Sequence, residues 1–227
     1  MTNAHSSFDL LQWMDPQAVQ AFKSAVRLRK YSAGQDIYMQ GDEGTEMFRL
    51  LSGSISFVVN RPDGREMVFT LFQPGDCFGD TSLVDGDIRP QTAEAINDVE
   101  VEVLAKADFN RLRQEYRSFD DALLKSVTRQ LRLVCEFYED ANMNPLAVRV
   151  AGRIASAAAA FGDKSAEGVR LTIPLSQTEL AAMAGASRQS VNKVLRIFQA
   201  EKLVRVEYGG LLILDLEGIR DRASALD

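Results

Sequence analysis

The chain has 227 residues, 46% of them hydrophobic, and a formal net charge of −6, a size that suits one large or two small domains with an ordinary buried core. No apolar run approaches the ~20 residues of a membrane span, and Met1–Asp9 lacks the basic and apolar regions of a secretory signal, so a cytoplasmic protein without a membrane partner is expected. Cys77 and Cys135 form no CxxC and His5 is the only histidine, which argues against a disulfide framework and a cysteine-held iron–sulfur cluster and leaves no tetrahedral zinc site without carboxylates.

The charge is uneven. Residues 1–145 hold 15 Lys/Arg and 23 Asp/Glu, whereas residues 146–227 hold 11 and 9. Such asymmetry points to two domains with different partners. In chain order, residues 8–30 read as a helical segment docked through Phe8, Leu11, Trp13, Val19, Phe22 and Val26. From Tyr31 the texture changes. Eight of the 15 glycines lie between Gly34 and Gly86, separating short β-rich runs such as "MFRLLSG", "SISFVV" and "EMVFTLF". Short strands with turn signals every 8–12 residues, among them Pro62-Asp63-Gly64, indicate a sandwich or barrel.

From Lys106 the pattern turns helical. Leu124, Val127, Leu131, Val134 and Tyr138 step by three and four residues, with Asp120 and Ala141 continuing the register. The stripe fits either a coiled-coil seam or a helix packed on its own domain. Asn144-Pro145 ends the run, because proline disfavours helix in the residue before it. Residues 146–161 form an alanine-rich helix, "GDKSAEG" reads as a loop and "VRLTIP" as a short strand.

Ser176 and Glu179 make a capping box, so a helix starts at Gln177. Gly185 supplies a tight turn, and Ser187 caps a second helix from Arg188 to about Ala200. On it Val191, Val194, Leu195 and Phe198 share one face, and Arg188, Gln189, Asn192, Lys193 and Arg196 the other. Two strands then flank Gly209-Gly210, a hairpin signal. This is a winged helix–turn–helix. Its polar face suits the major groove, where Arg or Lys pairs with guanine and Gln or Asn with adenine. Arg188, Gln189, Asn192 and Lys193 are the expected readers, with Ser176, Gln177, Ser187 and Ser190 as phosphate contacts.

These residues carry a resemblance. "LSQTELAAMAGASRQSVNKVLRIFQAEKLV" resembles the winged helix of the cyclic-AMP receptor protein / fumarate–nitrate regulator family of bacterial transcription factors. "FRLLSGSISF", "QPGDCFGDTSLVDGDIRPQTAEA" and "VEVEVL" resemble its β-roll sensor domain. The resemblance covers nearly the whole chain and implies an α+β protein: a cyclic-nucleotide-binding-like β jelly roll over 1–118, a dimerisation helix over 119–144 and a winged-helix DNA-binding domain over 145–227. It implies a homodimer with Leu124, Val127, Leu131, Val134 and Tyr138 in the interface, an inverted-repeat DNA site, and RNA polymerase as partner if the protein is an activator. The docking geometry is inherited from the family. Within the second helix Arg188 matches the family's guanine-reading arginine, while Gln189 stands where glutamate is frequent and Lys193 where arginine is frequent.

For an effector, the resemblance points to Gly79-Asp80-Thr81-Ser82-Leu83 and Arg89, with Tyr138 from the long helix. Gly79 allows close backbone approach, the short helix start favours a phosphate, Arg89 can form a charge-assisted pair with it, and Asp80 can accept from a ribose hydroxyl. Nucleotide-binding relatives carry a Gly-Glu pair and an Arg-Ser or Arg-Thr pair. Here Asp80 is a methylene shorter, Pro90 removes a hydroxyl and an N–H, and Tyr138 and Glu139 replace Thr and Ser. Cyclic AMP or cyclic GMP is one expectation. A cyclic dinucleotide, an effector-independent regulator, or a structural turn in which Arg89 pairs with Asp85 or Asp87 are the others. No haem is expected with His5 so placed, and Cys77 reads as a core filler or a redox thiol. An enzyme lacks a nucleophile–histidine pair and a metal motif. A nucleotide-binding regulatory module acting on a protein partner would have no need of the Arg188–Arg196 face.

Overall fold

The computed structural model describes residues 8–60, 66–172, 175–207 and 210–224. His5, Pro62-Asp63-Gly64, Ile173-Pro174, Gly209 and the side chain of Ala141 lie outside the described residues. The chain forms two compact units, Met1–Arg65 with Phe69–Val134 and Glu66–Val68 with Cys135–Asp227.

In the first unit a 3-10 turn (Leu10–Trp13) and helix α1 (Pro16–Ala25) lead into the strands. Asp15 caps α1, its carboxylate accepting from Ala18 N–H, and Pro16 opens it, where a missing N–H costs nothing. The strands are β1 (Arg27–Tyr31), β2 (Asp36–Tyr38), β3 (Glu46–Ser52), β4 (Ile55–Asn60), β5 (Glu66–Phe72) and β6 (Cys77–Phe78). The short helix α2 (Thr81–Val84) follows, then β7 (Thr92–Ala95), β8 (Val99–Ala105), α3 (Lys106–Glu115) and the 27-residue α4 (Arg117–Met143). Two four-stranded sheets result, ordered β1-β8-β3-β6 and β2-β7-β4-β5, with antiparallel pairing as in a jelly roll. Alternation of side chains along a strand divides the core. Phe48, Val101 and Val103 join Ile55, Phe57 and Phe72 between the sheets. Met47 and Leu104 instead face Phe22, Phe109 and Phe119 of the helices.

Residues 27–30, expected as the end of the first helical segment, instead belong to strand β1, Arg27–Tyr31, paired with Val99–Val103. It lies on the sheet edge and only Tyr31 is buried, so it carries none of the apolar alternation that marks an inner strand.

The second unit contains α5 (Leu146–Phe161), β9 (Gly162–Ser165), β10 (Gly168–Leu171), α6 (Gln177–Met183), α7 (Arg188–Ala200), β11 (Val204–Glu207), β12 (Gly210–Ile213) and α8 (Leu216–Ser224). Its sheet runs β11-β12-β10-β9. "GDKSAEG" is therefore not all loop: Gly162–Ser165 pairs with Gly168–Leu171 as an exposed edge strand. Ile154, Leu180, Val191, Leu195, Phe198 and Ile213 form the core.

Candidate functional site

Both helix starts in the second unit are built from their own side chains. Ser176 Oγ accepts from Glu179 N–H at 3.1 Å, and Glu179 Oε2 accepts from Ser176 N–H at 2.6 Å, which satisfies two orphan donors of α6 reciprocally. Gly185 takes φ +61°, a left-handed turn that glycine adopts without strain. Ser187 Oγ then accepts from Ser190 N–H at 3.1 Å and lies 2.9 Å from Ser190 Oγ. Three of the four expected phosphate contacts, Ser176, Ser187 and Ser190, thus have hydroxyls engaged in caps, and Gln177 is half-buried at the first position of α6.

On α7, Val191, Val194, Leu195 and Phe198 are buried, each contributing about 1.5–3 kcal/mol by burial. That fixes which face is left outward. Arg188, Gln189, Lys193 and Arg196 are exposed and Asn192 is half-buried. Among the described residues none of these five enters an ion pair or hydrogen bond. The other arginines of this unit are engaged: Arg170 with Glu207, Arg205 with Glu167, Arg220 with Glu217 and Arg222 with Glu201. The basic stretch is therefore shorter than it looks in sequence: Arg205 is paired with Glu167, whereas Arg188, Lys193 and Arg196 on α7 have no counter-ion among the described residues.

Two further residues hold the end of α6 and were not anticipated. Arg149 Nη1 donates to Ala184 O at 2.7 Å and Arg153 Nε to Met183 O at 3.1 Å, occupying carbonyls that the end of α6 leaves open. Arg153 Nη2 also reaches Asp140 Oδ2 at 2.8 Å, and Asn144 donates to Asp140 Oδ1 at 2.8 Å. The available signal was two arginines four residues apart on an alanine-rich helix.

Helix α4 has two apolar faces. Phe119, Ala122 and Leu123 are buried with Ser126, and Leu133 packs on the β-roll core. Leu124, Val127, Leu131, Val134 and Tyr138 are 67, 40, 61, 44 and 71% exposed. The seam is thus not the face by which α4 packs on its own domain. With Met143 it supplies six of the eleven exposed large hydrophobics among the described residues, a concentration expected of an interaction surface rather than of scattered apolar residues.

Of the expected effector residues, Asp80, Ser82 and Arg89 are buried, whereas Thr81 and Tyr138 are exposed. Gly79 takes φ +78°, and a Cβ there would come within 2.9 Å of Arg89 Nη1. Thr81 is exposed; Ser82 is buried, its Oγ donating to Ile88 O at 3.2 Å. Asp80 and Arg89 are each 2% exposed. Burial pushes the Asp80 carboxyl up to about 6, against the pull of the Asp80 and Thr81 backbone N–H groups and the Arg89 charge. Its Oδ2 is buried without a hydrogen-bond partner. Arg89 pairs with neither Asp85 nor Asp87, whose carboxylates accept from the Asp87 and Ile88 N–H groups. Its Nη1 donates to Gly79 O and its Nη2 to Glu46 O, both at 2.5 Å, and its guanidinium lies 4.3 Å from the centre of the Tyr38 ring. Cys77 is 1% exposed and burial raises its thiol well above the usual range, which makes it a core filler rather than a reactive thiol.

A β-roll followed by a long helix and a capped helix–turn–helix with a wing hairpin defines a regulator that joins a sensor-type domain to a DNA-reading head. Comparison with known proteins agrees. Residues 28–116 match the cyclic nucleotide-binding domain, and residues 148–222 the Crp-like helix-turn-helix domain. The chain is 28% identical over 94% of its length, and 96% of the relative's, to a CRP-like cAMP-activated global transcriptional regulator of Mycobacterium tuberculosis. It is 29% identical to the cyclic AMP receptor protein of Thermus thermophilus, covering 88% of this chain and 89% of that one. A Crp-family transcriptional regulator structure from Thermus thermophilus superposes with TM-score 0.74 at 26% identity, over 87% of this chain and 97% of that one. The chain belongs to the Crp/Fnr family of DNA-binding transcription regulators. The Mycobacterium tuberculosis relative and the solved Thermus thermophilus structure are transcriptional regulators. No described helix is long and apolar enough to cross a membrane.

Proposed function

We propose that the protein acts as a homodimer, joined along the Leu124–Tyr138 face of α4, that reads an inverted-repeat DNA site with one α7 per half-site. The observation that carries this reading is the contrast on the second unit: Arg188, Lys193 and Arg196 have no counter-ion among the described residues, while Arg170, Arg205, Arg220 and Arg222 are paired. Unpaired cations beside Gln189 and Asn192 on a capped helix suit phosphates and base edges. The protein would work in the cytoplasm, with RNA polymerase as a partner if the bound sites are activating ones.

Arg188→Ala should cost about 1–3 kcal/mol of binding and relax discrimination at one base position. Wild-type affinity should fall steeply with added salt as phosphate contacts release counterions. Fluorescence anisotropy with duplexes varied one base pair at a time measures both. Equal affinity of wild type and variant for every duplex would remove Arg188 from the reading face.

A second reading adds a cyclic mononucleotide effector, cyclic AMP or cyclic GMP, at Gly79–Ser82 and Arg89 of the first unit. It is favoured by the likeness to a cAMP-activated regulator and a cyclic AMP receptor protein and by the partnerless Asp80 Oδ2, which could accept from a ribose hydroxyl. It requires an Arg89 guanidinium available to the phosphate.

A further inference from the structure

We propose that Arg89 is an internal latch, not a phosphate ligand, and that this chain binds DNA without a cyclic mononucleotide; the DNA part rests on the reading given above. The residues present do not fit the nucleotide that a cyclic nucleotide-binding domain implies. A phosphate needs a guanidinium that presents its N–H edges. Arg89 is 2% exposed, and both outer nitrogens donate at 2.5 Å to main-chain oxygens, Gly79 O and Glu46 O. Its Nε is buried as well. The flat face is covered by Tyr38 at 4.3 Å, a cation–π contact strengthened by desolvation.

Tyr38 is itself wedged among rings. Its centroid lies 5.8 Å from Phe48, 6.2 Å from Phe57 and 6.3 Å from Phe78. Phe48 stacks on Phe78 at 5.1 Å, and Phe57 meets Phe72 at 4.5 Å. These rings come from both sheets and fill the interior beneath Arg89. The main chain of Arg89 is pinned too: its N–H donates to Asp42 O at 2.8 Å, its carbonyl accepts from Gly41 N–H at 2.9 Å, and Glu43 bridges to Ile88. A side-chain swing towards a ligand would break two hydrogen bonds and the ring contact while the backbone stays fixed.

Charge gives a separate argument. Arg89 and Asp80 are both buried and of opposite sign, close enough for each to act on the other. That pairing further occupies the guanidinium, and Pro90, where nucleotide-binding relatives carry a hydroxyl residue, offers a phosphate neither hydroxyl nor N–H. The exposed groups on the flanking loops, Asp42, Glu43, Asp85 and Asp87, are acidic.

Isothermal titration and thermal melting of the full-length wild type with cyclic AMP and with cyclic GMP test this, alongside DNA binding with and without each. A ligand held at about 100 times its Kd would raise the melting temperature by several degrees. The latch predicts no saturable heat, no rise in melting temperature, and the same DNA affinity in nucleotide-free protein. Arg89→Lys keeps the charge but cannot bridge two carbonyls as a fork, so it should lower the melting temperature by roughly 5–10 °C. Saturable heat with either nucleotide would overturn the proposal, as would an unchanged melting temperature in Arg89→Lys. If the variant fails to fold, the wild-type titration still decides. Loss of DNA binding under every condition, with no nucleotide heat, would instead contradict the DNA-reading proposal and leave the latch standing.

Discussion

Replacing Leu131 and Val134 together by glutamate halves the mass of the protein in solution. Both side chains lie on the open face of α4, 61 and 44% exposed, so the substitutions disturb nothing in the core of the first unit. In a two-fold seam each would lose about 1.5–3 kcal/mol of apolar burial per copy, and four carboxylates would face one another in a desolvated strip. DNA binding should fall with the mass. Two linked heads gain avidity on the order of 10²–10⁴-fold over one, and a monomer forfeits that on an inverted repeat. Analytical ultracentrifugation and anisotropy on the same sample read both. A double variant that stays dimeric would move the interface elsewhere.

Arg153→Met should melt the second unit at lower temperature and weaken DNA binding even where dimerisation is intact. The guanidinium joins Asp140 of α4 to the Met183 carbonyl at the end of α6, and the Arg153 and Asp140 side chains are 16 and 22% exposed. Burial lowers the Arg153 pKa, with Asp140 pulling the other way, so the charge is tolerated largely through its partner. Removing it strands a part-buried carboxylate and opens a helix-end carbonyl, for a cost of about 3 kcal/mol, the low end for breaking a buried pair. Methionine keeps much of the stem packing, which isolates the polar contribution. Differential scanning calorimetry shows the shift. No change would mean that solvent replaces the arginine at no cost.

The parts legible in the sequence were those that local chemistry specifies. Ser176, Glu179 and Ser187 announce α6 and α7 because a cap is built from residues three apart. Val191, Val194, Leu195 and Phe198 announce the buried face because a helix repeats every 3.6 residues. The two misread segments, residues 27–30 and Gly162–Ser165, lie in edge strands. Pairing on one side only leaves them charged and solvated, so they exist through their partners and not through an apolar pattern. The surroundings of Arg89 were hidden for a related reason. Gly79, Asp80 and Arg89 are visible as a motif, but Glu46 O and Tyr38, which take up the arginine, stand 43 and 51 positions earlier, and no spacing rule connects them. The side chains that hold α6, Arg149 and Arg153, were hidden in the same way, since their acceptors are main-chain carbonyls that carry no residue type.

Selection of bound duplexes from a random pool by the full-length protein, with no small molecule added, tests the account most directly. A dimer with one α7 per half-site should enrich an inverted repeat whose half-site centres lie about one helical turn, ~34–36 Å, apart, and Arg188→Ala should blur one position in each half-site while the spacing persists. Enrichment of a single unrepeated element, or of nothing above the starting pool, would contradict it.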